Sequence, residues 1–123
     1  MTVIRRLLSP LAVILVIGLS LAACAPTTAP ITIGSDTVII DVRTADEFAS
    51  GHLTGAVNVD LQSASFDAQV AQLPLDGEYV IYCRSGNRSA AAVERMQNLG
   101  FVTLTDAGGL DSAAVATGQE IVR

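Results

Sequence analysis

Past residue 30 the chain alternates between short apolar runs and segments whose apolar residues recur every third or fourth position, the two periods that separate strands from helices. Val38-Ile39-Ile40 is a continuous β-branched run, as expected of a strand covered on both faces, and it ends in Asp41-Val42-Arg43. Thr44 or Asp46 then starts a short helix, Gly51 and Gly55 bracket a turn, and Ala56-Val57-Asn58-Val59 reads as a further strand. Phe66, Val70 and Leu73 recur at helical spacing until Pro74 and Asp76-Gly77 interrupt them. Tyr79-Val80-Ile81-Tyr82 is the next strand. The helical pattern after it is the clearest: Ser89 is its expected N-cap, Val93, Met96 and Leu99 its apolar stripe, and Gly100-Phe101 its stop. Met96 is thereby a core residue. Residues 102–105 predict a last strand, Gly108-Gly109 a turn and residues 110–116 a final short helix, while Ile31-Thr32-Ile33 leaves room for a short leading strand. Strands alternating with helices predict an α/β fold, an open and mainly parallel sheet of four or five strands with helices on both faces.

Upstream, residues 7–21 are mostly apolar behind Arg5 and Arg6, and Leu21-Ala22-Ala23-Cys24 closes the run with small residues, the order of a secretory signal. The uninterrupted apolar stretch falls short of the roughly 20 residues a membrane-spanning helix needs, and Ser9, Pro10 and Gly18 weaken it. Leu-Ala-Ala-Cys resembles the bacterial lipobox. That resemblance implies cleavage before Cys24, diacylglycerol on its sulfur and, with N-acylation, enough chains for a stable membrane anchor. The expected organisation is a lipoprotein signal peptide over residues 1–23, a Pro/Thr/Ala tether over residues 24–30 and one domain over residues 31–123. Such a protein is exported and sits on the extracytoplasmic side of the bacterial cell envelope.

Charge narrows the partners. Setting aside Arg5 and Arg6 leaves five arginines and no lysine against twelve acidic residues, a formal charge of −7. A domain so acidic repels nucleic acid and anionic membrane surfaces, so no nucleic-acid partner is expected. About 100 residues build one core, and a monomer is expected. With Cys24 lipidated, Cys83 has no disulfide partner, and an unpaired cysteine in an exported protein marks a candidate reactive thiol.

The segment Cys83-Arg84-Ser85-Gly86-Asn87-Arg88-Ser89 lies between a strand and a helix. The first N–H groups of a helix lack internal partners, and a Gly-containing turn lets neighbouring amides point inward, so both favour an anion at the sulfur. Arg84 and Arg88 add positive charge. The Cys83 pKa should therefore lie below its ordinary value, making the thiolate abundant at neutral pH. Gly86 permits tight curvature, Ser89 brings a hydroxyl toward the sulfur, and Ser85 and Asn87 are turn formers as well as candidate contacts. His52, the one histidine, has no second ligand nearby and reads as a hydrogen-bonded structural residue. Asp41 and Arg43 read as a brace at the strand-to-helix corner, with Glu47 available to Arg43. No metal site or cofactor motif is evident.

Asp41-Val42-Arg43, Glu47-Phe48, the segment from Gly51 to Asn58, the Cys83 loop and Gly108-Gly109-Leu110 follow one another in an order and spacing that resemble the rhodanese family, over nearly the whole predicted domain. One departure is Asp111-Ser112, where rhodaneses commonly carry an aromatic residue, which bears on how the final helix packs. The resemblance implies a rhodanese-like fold and sulfane-sulfur transfer. The Cys83 thiolate attacks a donor such as thiosulfate, sulfite leaves, and a persulfide passes to cyanide or a thiol. Residues 84–89 would bind the substrate, with Arg84 and Arg88 on its oxyanion end. Two other classes stay open. Cysteine phosphatases also place a Cys loop before a helix, but with five residues between Cys and Arg where this chain has four. A non-catalytic persulfide or redox-sensing module would share the fold and the exposed chemistry of a low-pKa thiol.

Overall fold

Four strands make the central sheet of the computed structural model, which describes residues 28–123. The expected signal segment and Cys24 lie outside the described residues. In space the strands run β3 (Val57–Asn58), β1 (Thr37–Asp41), β4 (Glu78–Cys83) and β5 (Thr103–Gly109), with every neighbouring pair parallel. Parallel neighbours require crossovers, and these carry α1 (Ala45–Ser50), α2 (Phe66–Val70) and α3 (Asn87–Asn98). After β5 comes α4 (Leu110–Thr117) and then β6 (Ile121–Val122), which pairs antiparallel with β2 (His52–Leu53) in a small second sheet.

The α/β class, the parallel sheet and helices on both faces are as the sequence predicts. Several boundaries differ, each for a local reason. Residues 31–33 form no strand; the Ile31 amide instead donates one hydrogen bond to the Ala116 carbonyl, at 2.8 Å, and Ile31 and Ile33 pack beside α4. Gly108 and Gly109 do not turn but complete β5. The β4–β5 register slips between Ile81 and Tyr82, so Tyr82 meets Gly108 and Cys83 meets Gly109, leaving Ala107 as the extra residue of a bulge. Gly108, next to the bulge, stands at φ 73°, in the left-handed region that favours glycine. Val102, expected within this strand, precedes it and is exposed. Leu73 lies beyond α2 yet still packs against the core.

The alternation of side chains along β1 and β4 divides the core in two. Ile40, Val42, Tyr79, Ile81 and Cys83 face α2 and α3, where Phe66, Val70, Ala92 and Met96 close over them. Ile39, Val80 and Tyr82 face the other way, onto Leu53, Ala107 and Ala113 of α4. The missing aromatic after Gly109 is met by small residues: α4 buries Ala113 and Ala116. Truncating a fully buried Phe66 or Met96 to alanine costs about 2–5 kcal/mol, a large share of a small domain's stability. For the site, the consequence is directional. Cys83 ends a central strand with its side chain on the α3 side of the sheet.

Asp41 and Arg43 brace the corner after β1, as expected, but not with the expected partner. Arg43 turns back on Asp41, with Nε 3.0 and 3.1 Å from its two carboxylate oxygens and Nη2 2.7 Å from Oδ2, and Nη2 also donates to the Gly51 carbonyl. Asn58 ties in β3 by donating from Nδ2 to the carbonyls of Asp41 and Arg43, at 3.0 and 2.8 Å. Both charged residues are buried, so removing one alone would strand its partner at a cost of about 3–5 kcal/mol. His52 is structural: Nδ1 lies 2.9 Å from the Phe48 carbonyl, and the ring stacks on Phe48 with centroids 3.7 Å apart.

Candidate active site

The loop after β4 is short because α3 begins at Asn87, two residues before the expected N-cap at Ser89. Gly86 takes the cap position at φ 101°, a left-handed conformation that side chains other than glycine rarely adopt, and this curls the chain back over Cys83. Its N–H points at the sulfur, 2.9 Å from Sγ. Ser89 therefore sits in the first turn of α3, fully buried, with its hydroxyl donating to the Gly86 carbonyl at 3.0 Å and lying 3.6 Å from Sγ. The buried stripe of α3 is Ser89, Ala92 and Met96, and Leu99, expected in that stripe, is the exposed C-cap.

Electrostatics at the sulfur follow from this wrapping. Burial pushes the Cys83 thiol up, but the Ser89 hydroxyl and the amides of Ser89, Gly86 and Ser85 stabilise the thiolate more, so the net shift is downward. The sequence predicts that direction. Hydrogen-bond donors are the main cause, and Arg88, as the sequence leads one to expect, adds a favourable charge interaction with Cys83. Cys83 is only 1% exposed, so its sulfur forms the floor of the loop rather than a surface group.

The two arginines part company. Arg88 is already engaged: Nη1 and Nη2 hold the two Glu47 carboxylate oxygens at 2.7 and 2.9 Å. Glu47 in turn caps α1, since the Thr44 amide donates to Oε2 and the Glu47 amide to the Thr44 hydroxyl. Hydrogen bonding from Arg88 outweighs partial burial and holds the Glu47 carboxyl down at about 2. Arg84 is exposed and forms no ion pair with a described residue. Ser85 and Asn87 are also exposed, Ser85 contributing its amide and Asn87 opening α3.

Beside the loop lies an open cleft of about 460 Å³ lined by Arg43, Glu47, Ser50, Arg84, Leu110 and Asp111. Three of these follow strand ends: Arg43 after β1, Arg84 after Cys83 and Leu110 after Gly109. The cleft thus opens beyond the carboxyl edge of the parallel sheet, the usual place for a ligand in such folds. Backbone packing is tight there. A Cβ on Gly109 would lie 2.5 Å from the Arg84 carbonyl oxygen. Among the described residues, no three His, Cys, Asp or Glu side chains converge as metal ligands would.

The sequence profile of the rhodanese-like domain matches residues 30–112, about two thirds of the chain. The chain belongs to the rhodanese family. An Escherichia coli thiosulfate sulfurtransferase, PspE, is 29% identical over 76 residues, which cover 62% of this chain and 73% of that protein. The senescence-associated protein DIN1 of Raphanus sativus is 33% identical over 103 residues, covering 72% of this chain but 56% of DIN1. The chain thus spans little more than half the length of that plant relative. An Escherichia coli rhodanese solved with anions superposes at a TM-score of 0.60 with 26% identity, over 71% of this chain and 98% of that one. In this rhodanese-like domain, the short loop of residues 84–86 and the first turn of α3 wrap Cys83, while Arg88 is turned toward Glu47. Sequence reasoning overlooked Glu47 as the partner of Arg88, although Thr44-Ala45-Asp46-Glu47 carries the capping-box pattern that places Glu47 on the first turn of α1. It also overlooked Gly109 as packing against the loop and Asp111 as part of the cleft.

Proposed function

We propose that the protein carries sulfane sulfur on Cys83, taking it from an anionic donor such as thiosulfate and passing it to a thiol or to cyanide. A rhodanese-type sulfurtransferase is the class on which family and site agree; the donor and acceptor are the further step. One observation carries the reading: a buried sulfur with an amide 2.9 Å away and further donors around it suits an anion, and a persulfide is an extended anion. The Cys83 thiolate attacks the outer sulfur of thiosulfate, the donor's S–S bond breaks, and sulfite departs with the electron pair. Cys83 is left as a persulfide whose outer sulfur lies about 2 Å beyond Sγ, within easier reach than the buried Sγ. Arg84 is the available cation for the oxyanion end of the donor. Arg88 supports the loop through Glu47.

Intact mass is the direct test. Thiosulfate should add one sulfur atom, cyanide should remove it, and Cys83→Ser should gain none. A Cys83→Ser protein that still gained and lost sulfur would overturn the assignment.

We also propose that the chain is exported and lipid-anchored at Cys24, a reading supported by Leu21-Ala22-Ala23-Cys24 behind a charged, apolar leader. Labelled lipid should enter the natural precursor but not Cys24→Ser. Recovery of a soluble protein with an unmodified cleaved terminus would refute it.

A further inference from the structure

The charges around the cleft cancel in pairs, except for one of each sign. Arg43 is committed to Asp41, and Glu47 to Arg88. Arg84 and Asp111 line the same cleft, are both exposed, and form no ion pair with any described residue. They rise from adjacent strand ends: Arg84 follows Cys83, and Asp111 lies two residues past Gly109, the partner of Cys83 across the sheet. A simple dianion, such as the donor, finds one partner here in the Arg84 guanidinium and leaves the Asp111 carboxylate unused. A small molecule with a carboxylate and an ammonium would meet a partner for each. Leu110 supplies an apolar patch within the same lining, suited to a short carbon skeleton.

We propose that the sulfur acceptor is a compact zwitterionic thiol, an α-amino acid thiol of the cysteine type, held by Arg84 at its carboxylate and Asp111 at its ammonium. The inference rests on the sulfurtransferase reading and names the acceptor for that site. The thiolate of the acceptor attacks the outer sulfur of the Cys83 persulfide. A new S–S bond forms to the acceptor, the bond to Cys83 Sγ breaks, and its electron pair stays on Cys83 as thiolate. One thiolate and one persulfide anion enter and one of each leaves, with no net oxidation. Because Arg84 would hold the donor's oxyanion in the first displacement and the acceptor's carboxylate in the second, donor and acceptor occupy the cleft in turn.

The experiment loads Cys83 with thiosulfate, or with inorganic polysulfide should thiosulfate fail, and follows discharge by mass. The acceptors are cysteine, cysteamine, 3-mercaptopropionate and 2-mercaptoethanol, with rates compared per thiolate. Failure of thiosulfate loading counts against the proposed donor alone, since the polysulfide-loaded protein still reports on the acceptor. Cysteine should discharge the persulfide about tenfold or more faster than either singly charged thiol, as expected of one added charge-assisted contact. Asp111→Asn should erase the advantage of cysteine over 3-mercaptopropionate, and Arg84→Gln its advantage over cysteamine. Circular dichroism verifies that both variants are folded. Equal rates for all four thiols, or a preference for 3-mercaptopropionate that Asp111→Asn leaves untouched, would overturn the proposal.

Discussion

Ser89 has one hydroxyl proton and three acceptors around it: the Gly86 carbonyl at 3.0 Å, the Gly108 carbonyl at 3.5 Å and Cys83 Sγ at 3.6 Å. While Cys83 is a thiol, its S–H can donate to Ser89 as Ser89 donates to Gly86. Ionisation removes that donor and makes the sulfur the stronger acceptor, drawing the serine proton toward it. Removing the hydroxyl therefore disfavours the charged form. In Ser89→Ala the pH midpoint of Cys83 alkylation should move up, and the alkylation rate at neutral pH should fall, both read with iodoacetamide across a pH series. An unmoved midpoint would mean that the amides alone set the acidity. Much of this loop was legible in the sequence, because cysteine, glycine and the serines act within seven residues of one another. The fate of Arg88 was not legible, since its partner Glu47 lies 41 residues away and only the packing of α1 beside the loop brings them together. Arg95 is likewise engaged by residues distant in sequence. It looks like a solvated helix residue, yet its Nε lies 2.7 Å from Asp67 and its guanidinium rests over the Phe66 ring.

Elements hold the loop as much as its own residues do. The bulge in β5 turns Gly109 into the cross-strand partner of Cys83, and its bare Cα lets the backbone at Arg84 pass close by. A methyl there must displace backbone, the least forgiving kind of neighbour. Gly109→Ala should therefore cost about 1–3 kcal/mol in urea unfolding, the range for overpacking, and lower kcat/KM for sulfur transfer well beyond what the lost stability explains. Unchanged kcat/KM in a folded Gly109→Ala protein would show that the loop accommodates the methyl without moving Cys83. The β-branched and aromatic runs of β1 and β4 were easy to read because buried parallel strands are apolar on both faces. Gly108-Gly109 reads as a turn in the sequence because nothing local marks a register slip. The sequence points to Ser89 as the cap of α3, whereas a left-handed Gly86 caps it without a side-chain hydrogen bond and so leaves no polar signature.

Across the whole molecule, the Glu47–Arg88 pair links the α1 corner to the sulfur loop, and its titration predicts an acid limit. The folded Glu47 pKa is depressed from 4.5 to about 2, so its stabilising contribution is complete above the higher value and lost as pH falls through the lower. Urea unfolding of the parent and Glu47→Gln should differ most at neutral pH, and the gap should close between those limits. A gap that stays constant on acidification would assign the effect to the cap hydrogen bonds rather than to charge. The α/β plan of the central parallel sheet was legible, because periodicity reports each segment's surroundings; the small β2–β6 sheet escaped because two-residue strands have no period to detect. The contact between Ile31 and Ala116 has a mechanical meaning. Leu110 and Asp111 at the beginning of α4 line the cleft, whereas the chain comes in from residue 30 at the far end of that helix. Tension drawn through the amino-terminal segment is taken up first by this single clasp, which can peel open before the five-residue ladder between β1 and β4 is loaded. The sulfur loop lies at the carboxyl end of β4, away from that clasp, so opening the clasp by itself breaks none of the hydrogen bonds that hold Cys83.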